Sequence, residues 1–176
     1  AGLTLATALR VPRLARTIER DEQDTLRRNI LGFVYIEDDG TDQHFELPLK
    51  AAFWEDGQAN NPFLFSVLAR ITLRAWQGFS GAEPWRASLP LLRLWAIIPG
   101  VLSLAAVWWW LHLMKRPRAA ALALFLGAVH PMHVDYSVQA RGYAFVMLFV
   151  SLALCAGWFA LNEGKWRHWL AVAACF

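Results

Sequence analysis

Two short clusters hold the residues whose types and spacing could do chemistry. Asp21 and Glu22 are adjacent carboxylates. A carboxylate within hydrogen-bond reach of a hydroxyl can serve as its general base, so the chemistry on offer is proton removal at a membrane surface. The same dipeptide also suits a solvated helix face paired with Arg20, Arg27 or Arg28. The second cluster is HPMHVDYSVQARGYAF, which sets His130, His133, Asp135, Tyr136, Gln139 and Arg141 between two apolar runs. Ionisable groups at a membrane boundary are costly unless they serve something. Arg141 is the sharpest of them: a guanidinium there can clamp a phosphate at the headgroup level, or can snorkel and anchor a helix end. His130 and His133 have metal-ligand spacing. Pro131 lies between them and no third ligand is evident, so structural or substrate-contact roles are favoured. EDDGTDQ lacks the twelfth-position Glu of a calcium loop and reads as a turn, and Glu55-Asp56 reads as a solvated loop. Cys155 and Cys175 both fall in apolar runs and read as buried small hydrophobes.

The elements that must position these clusters are membrane helices. Apolar residues make up 57% of the chain, yet 18% are charged, so what matters is where the charges lie. Most precede residue 94, and the rest punctuate long apolar runs, which is the pattern of a polytopic α-helical membrane protein. The modest net charge of +3, with no clustered basic face, points away from nucleic acid. Spans are expected at 94–114, 119–134 and 143–161, with a further one cut short at 169–176 and the tail of a first span at 1–15. The chain begins at Ala1 without an initiator Met and stops inside an apolar run, so it is expected to be an internal fragment of a longer protein, from the N-terminal part of its helical bundle.

Topology follows from the short connections. KRPR and NEGKWRH are both basic and lie two crossings apart, which places both in the cytoplasm. The HPMHVDYSVQAR turn and residues 16–90 then share the external side. In that long external loop RTIERDEQDTLRRN suggests a short helix, and FVYIEDDGTDQHFELPL a small hairpin. FLFSVLARITLRAWQGF suggests an amphipathic helix at the interface, in which Phe63, Val67, Ile71 and Trp76 are interrupted by Arg70 and Arg74. The expected fold class is therefore all-α, a transmembrane bundle with a long first loop carrying interfacial helices.

The order of these features resembles the GT-C membrane glycosyltransferases, in particular the protein-mannosyltransferase-like group that includes the lipid A aminoarabinose transferases. Asp21, Glu22 and Thr25 match a D-E-x-x-T-like motif opening the first external loop. Asn60-Asn61-Pro62-Phe63-Leu64 matches a turn before an interfacial helix, without that motif's second proline. Arg93-Leu94-Trp95-Ala96 keeps the Arg-Leu of an R-L-P-S start and loses the Pro-Ser. The run from His130 to Tyr143 matches S-P-x-H-x-x-Y-S-x-x-A-R-x-Y and is the most specific of the four. The likeness covers about residues 15–165.

The resemblance implies a glycosyltransferase that takes a sugar from a polyprenyl-phosphate donor and passes it, with inversion, to an acceptor hydroxyl. The reaction would lie on the external face of a bacterial plasma membrane. Asp21 would be the base, and Glu22 its neighbour or a metal- or acceptor-facing group. Arg141 would meet the donor phosphate, with His133, Tyr136, Gln139, Tyr143 and Asn61 shaping the substrate pocket. The acceptor is a lipid, a polysaccharide or a protein; a divalent metal is compatible and none is required. Apart from the donor and acceptor, the expected partners are membrane lipids. The chain by itself would lack the helices needed to enclose the lipid. Two other classes fit the same polar clusters: a transporter or flippase, which would break helices near mid-bilayer rather than cluster polar groups at span ends, and a non-catalytic scaffold indifferent to changes at Asp21.

Overall fold

The computed structural model describes residues 2–36, 42–53 and 63–176. The chain divides into two compact units. One, here the helical unit, is Ala1–Arg13, Ala96–Val138 and Tyr143–Phe176; the other, the loop unit, is Leu14–Trp95 with Gln139–Gly142. The described residues are mostly helical, with a single two-stranded sheet among them.

In the helical unit α1 (Gly2–Arg10) runs into a 3-10 turn, Val11–Ala15. The helix α5 (Leu89–Leu113) begins in the loop unit and continues here from Ala96. Four helices follow: α6 (Pro117–Val129), α7 (Pro131–Tyr136), α8 (Tyr143–Glu163) and α9 (Trp166–Ala173). The core is Ala6, Leu104 and Ala128, with Val101 and Leu124 packed against it. Small residues at such contacts let helix backbones approach closely. Gly100 is the extreme case, since a Cβ there would lie 2.2 Å from the Cβ of Ser137.

Both α5 and α8 are long and apolar enough to cross a membrane. Only 28% of the apolar window of α8 is buried, which leaves Val146, Val150, Leu154 and Leu161 exposed and unlike the covered residues of a soluble core helix. The second expected span differs. The run 119–134 does not form one helix: α6 ends at Val129, and its 13 residues reach only about 20 Å. The cause is local. His130 precedes Pro131, and the proline ring disfavours helical backbone at the residue before it. His130 accordingly is extended, at φ −63° and ψ 122°, and Pro131 opens α7 as its first residue.

The loop unit starts with α2 (Arg20–Thr25), which passes into a π-helical turn, Leu26–Ile30. The hairpin β1 (Gly32–Ile36) and β2 (Asp42–Glu46) is antiparallel, with Gly32 opposite Glu46 and Ile36 opposite Asp42, so the alternation in the sequence marks a real strand pair. This small sheet makes the fold mostly rather than wholly helical. A short α3 (Lys50–Phe53) precedes α4 (Phe63–Ser80). The face of α4 buried within the unit is Phe65, Ser66, Ala69, Arg70, Leu73 and Gln77, whereas Phe63 and Ile71 are exposed. Arg70 does not interrupt an apolar stripe: it turns inward and donates to the carbonyls of Leu47 and Pro48, while Arg74 pairs with Glu46. Gln77 likewise donates to Pro84 O and Arg86 O, at 2.8 and 2.9 Å.

Candidate functional site

In a helix, successive residues point about 100° apart, so adjacent carboxylates cannot share an environment. On α2 this separates Asp21 from Glu22. Asp21 is open to solvent, with 66% of its side chain exposed, and Glu22 is turned inward at 1%. The inward carboxylate meets Arg93 of α5, itself 2% exposed. Oε1 of Glu22 accepts from Arg93 Nε at 3.1 Å and from the Ala140 amide at 2.6 Å; Oε2 accepts from Arg93 Nη2 at 2.7 Å and from the Glu19 amide at 3.0 Å. A carboxylate has about four acceptor positions, and here all are used.

Arg93 is filled in the same way. Besides its two bonds to Glu22, it donates through Nη1 to Leu14 O at 3.0 Å and Arg16 O at 2.6 Å, and through Nη2 to Thr17 O at 3.1 Å. A guanidinium has five N–H donors, and these bonds account for five. Burial of Glu22 pushes its carboxyl pKa up. The Arg93 hydrogen bonds, the Glu19 and Ala140 amides and the Arg93 charge outweigh that and hold it below its usual 4.5.

The segment 139–142 joins this frame at three successive residues. Gln139 Nε2 donates to Glu19 Oε2 at 2.9 Å, the Ala140 amide meets Glu22, and Arg141 Nη1 donates to Asp21 Oδ2 at 2.7 Å. Arg141 is 13% exposed, so the ion pair is covered on the arginine side and open on the aspartate side. Thr25, third member of the D-E-x-x-T pattern, is buried and donates to Asp21 O at 3.1 Å, closing the turn that carries Asp21. Of the residues singled out by sequence, Asp21, Glu22, Gln139 and Arg141 therefore come together. Glu22, expected beside Asp21 as a metal- or acceptor-facing group, instead spends its carboxylate on Arg93 and two amides. Asn61 lies outside the described residues.

His133, Tyr136 and Tyr143 belong to the helical unit. The Tyr136 and Tyr143 rings pack with centroids 5.0 Å apart. His133 is enclosed in a network around Arg10, which is wholly buried. Arg10 Nη2 donates to His133 Nδ1 at 2.7 Å, Arg10 Nε to Ser137 Oγ at 2.6 Å, and Arg10 Nη1 to Ala6 O at 2.7 Å. Ser103 spends its hydrogen on Gly100 O at 2.8 Å, so its oxygen accepts from His133 Nε2 at 3.2 Å. This fixes the tautomer with hydrogen on Nε2. Both ring nitrogens are thus engaged within the unit, which makes His133 a packing residue here and removes it as a metal ligand. Asp135 pairs with Arg13. Among the described residues no group of three or more His, Cys, Asp or Glu is placed to hold a metal.

Sequence reasoning did not place Arg93 or Arg10 in a site. Arg93 had a signal, a charge at the entrance to a long apolar helix. Arg10 had none beyond being a cation at the end of a short apolar run. Comparison of the chain with known protein families, curated proteins and solved structures finds no match.

Proposed function

We propose that the chain is part of a membrane glycosyltransferase that moves a sugar from a polyprenyl-phosphate donor to an acceptor hydroxyl at the external membrane face. The observation that carries this reading is the meeting of Asp21 with Arg141, 120 residues apart in the chain, on a frame locked by Glu22, Arg93 and Ala140. These are segments that carry the resemblance to GT-C enzymes, and the pair combines the two functions such a transfer needs, a base and a cation. The two long apolar helices, α5 and α8, support a membrane setting, and the basic turns at 115–118 and 162–168 support an external position for 139–142.

In this mechanism Asp21 Oδ2 takes the proton from the acceptor hydroxyl. The acceptor oxygen forms a bond to the anomeric carbon as the bond from that carbon to the phosphate oxygen breaks. The electron pair leaves with the lipid phosphate, and attack from the opposite face inverts the centre. Arg141 meets the negative charge that builds on the departing phosphate. Because the Asp21 side of the pair is open, a donor phosphate can compete with the carboxylate for the guanidinium, and Asp21 is then released to act as base. Glu22 and Arg93 are positioning residues whose hydrogen bonds are used up in fixing α2 against 139–142.

The test is release of polyprenyl phosphate by the full-length protein, offered a panel of polyprenyl-phosphate sugars. Asp21→Asn is expected to cut turnover by roughly 10²-fold or more while membrane insertion is unchanged. Wild-type turnover by that variant would sink the assignment.

A further inference from the structure

The loop unit contains a cavity of about 460 Å³ bordered by α2, the π-helical turn, the start of β1, β2 and residues 85–89. Its volume lies in the range of small-ligand pockets. Leu26, Leu31 and Leu89 give it an apolar floor; Gln23, Arg27, His44 and Trp85 give it a polar and aromatic rim. Neither Asp21 nor Arg141 lines it.

The rim groups have definite hydrogen-bonding characters. His44 Nε2 lies 3.0 Å from Leu31 O, and a carbonyl only accepts, so Nε2 carries the hydrogen. Nδ1 of the neutral ring is then an acceptor suited to a ligand hydroxyl. Gln23 offers both a donor and an acceptor, the combination that a vicinal diol matches. Arg27 is exposed and supplies the one formal positive charge among the described lining residues, suited to one carboxylate or phosphate. Trp85 is half-buried, its ring centroid 6.0 Å from that of His44 and tilted by 54° to it. Two rings at that tilt make a corner rather than a parallel slot. A puckered saccharide ring, with an apolar face for the indole and hydroxyls at its edge for His44 and Gln23, matches this lining.

We infer that this cavity binds a saccharide unit carrying one anionic substituent, with Trp85 against the sugar face, His44 and Gln23 on its hydroxyls and Arg27 on the anion. The inference goes beyond the transfer reaction and does not depend on Asp21 or Arg141, so it stands or falls apart from the proposed function. The shared chemistry has two sources, a free glycan or a glycolipid head group.

The experiment is calorimetric titration of the full chain in detergent with methyl glucuronide, methyl glucoside and a nucleoside monophosphate, and with a glucuronosyl lipid in mixed micelles. The glucuronide is expected to bind more tightly than the glucoside and the nucleotide. Arg27→Ala should weaken the glucuronide about tenfold, a change of about 1.4 kcal/mol, and leave the glucoside unchanged. Trp85→Ala should abolish both sugars. Arg27 is exposed, so its variant keeps the test decisive if Trp85→Ala fails to fold. Binding of both glucuronides assigns a free-glycan site; binding of the lipid form alone assigns a head-group site. Equal affinity for the charged and neutral sugars, an Arg27→Ala variant indistinguishable from wild type, preference for the nucleotide, or no heat from any sugar would each overturn the inference.

Discussion

Replacing Arg93 by Met removes one half of an ion pair whose members are 1% and 2% exposed. Taking away one partner of a buried pair costs about 3–5 kcal/mol, chiefly because the other charge is left uncompensated. Here Glu22 keeps only the Glu19 and Ala140 amides, and the carbonyls of Leu14, Arg16 and Thr17 lose their donor. Water that enters the gap recovers part of the carbonyl loss, so about 4 kcal/mol is expected for the whole change, a large share of a typical domain stability of about 5–15 kcal/mol. Arg93→Lys should cost nearly as much, because an ammonium has three donors where the site uses five. Glu22→Leu alone leaves the guanidinium without its carboxylate and should cost a similar amount. The double variant Glu22→Leu/Arg93→Met should fall short of the sum of the single changes by about 3 kcal/mol, since neither charge is then stranded. The assay is hydrogen exchange at the Ala140 amide, which sits 2.6 Å from Glu22 Oε1 and reports opening of this frame, with thermal unfolding in detergent as a second readout. Additive costs in the double-mutant cycle, or a loss below about 1 kcal/mol for Arg93→Met, would refute the claim that this pair locks 139–142 to α2.

Arg141→Ala should raise the KM for a polyprenyl-phosphate donor, because it removes the guanidinium that would meet the donor phosphate; an unchanged KM would count against the phosphate role. Gly100→Ala would place its methyl group 2.2 Å from Ser137 Cβ in a closed contact and should cost about 1–3 kcal/mol, read as a lowered melting temperature. Gly32→Ala combines a φ of +100° with a Cβ 2.1 Å from Phe45 O, and loss of the β1–β2 cross-strand NMR contacts is expected.

The long apolar helices were legible because a run of twenty or so apolar residues has few other uses, and α5 and α8 carry that signal undiluted. The hairpin was legible from its alternation and its Asp-Gly turn signal. The break at His130 was legible in principle, since Pro131 stands in the sequence, but an apolar count smooths over a single proline. The site was half legible. Asp21 and Arg141 could be singled out by type, and the fold brings them together. What sequence could not supply is direction: nothing in the letters D-E says which carboxylate faces inward. That depends on helical phase and on Arg93, a residue 71 positions away.

Burial of arginine is the device that this sequence uses repeatedly, and it separates structural cations from the functional candidate. Arg10, Arg70 and Arg93 are all buried, and each collects main-chain carbonyls where helices and strands begin or end. Arg10 reaches Ala6 O near the end of α1 and Ala128 O near the end of α6, where helix dipoles present partial negative charge. Arg70 takes two of the three carbonyls between β2 and α3, those of Leu47 and Pro48. Arg93 takes three from the segment leading into α2 and adds a full carboxylate. Carbonyls held in this way cannot leave, so these guanidiniums are fixed parts of the scaffold. Arg141 differs in kind, because its partner Asp21 is an exposed carboxylate that an anion in solution or in a lipid head group can replace. If that distinction is right, phosphate analogues should compete at Arg141 and leave the Arg93 frame untouched. Protection of the Ala140 amide should then be unchanged on ligand addition while the Asp21 carboxylate resonance shifts, and the opposite pattern would place the exchangeable cation at Arg93 instead.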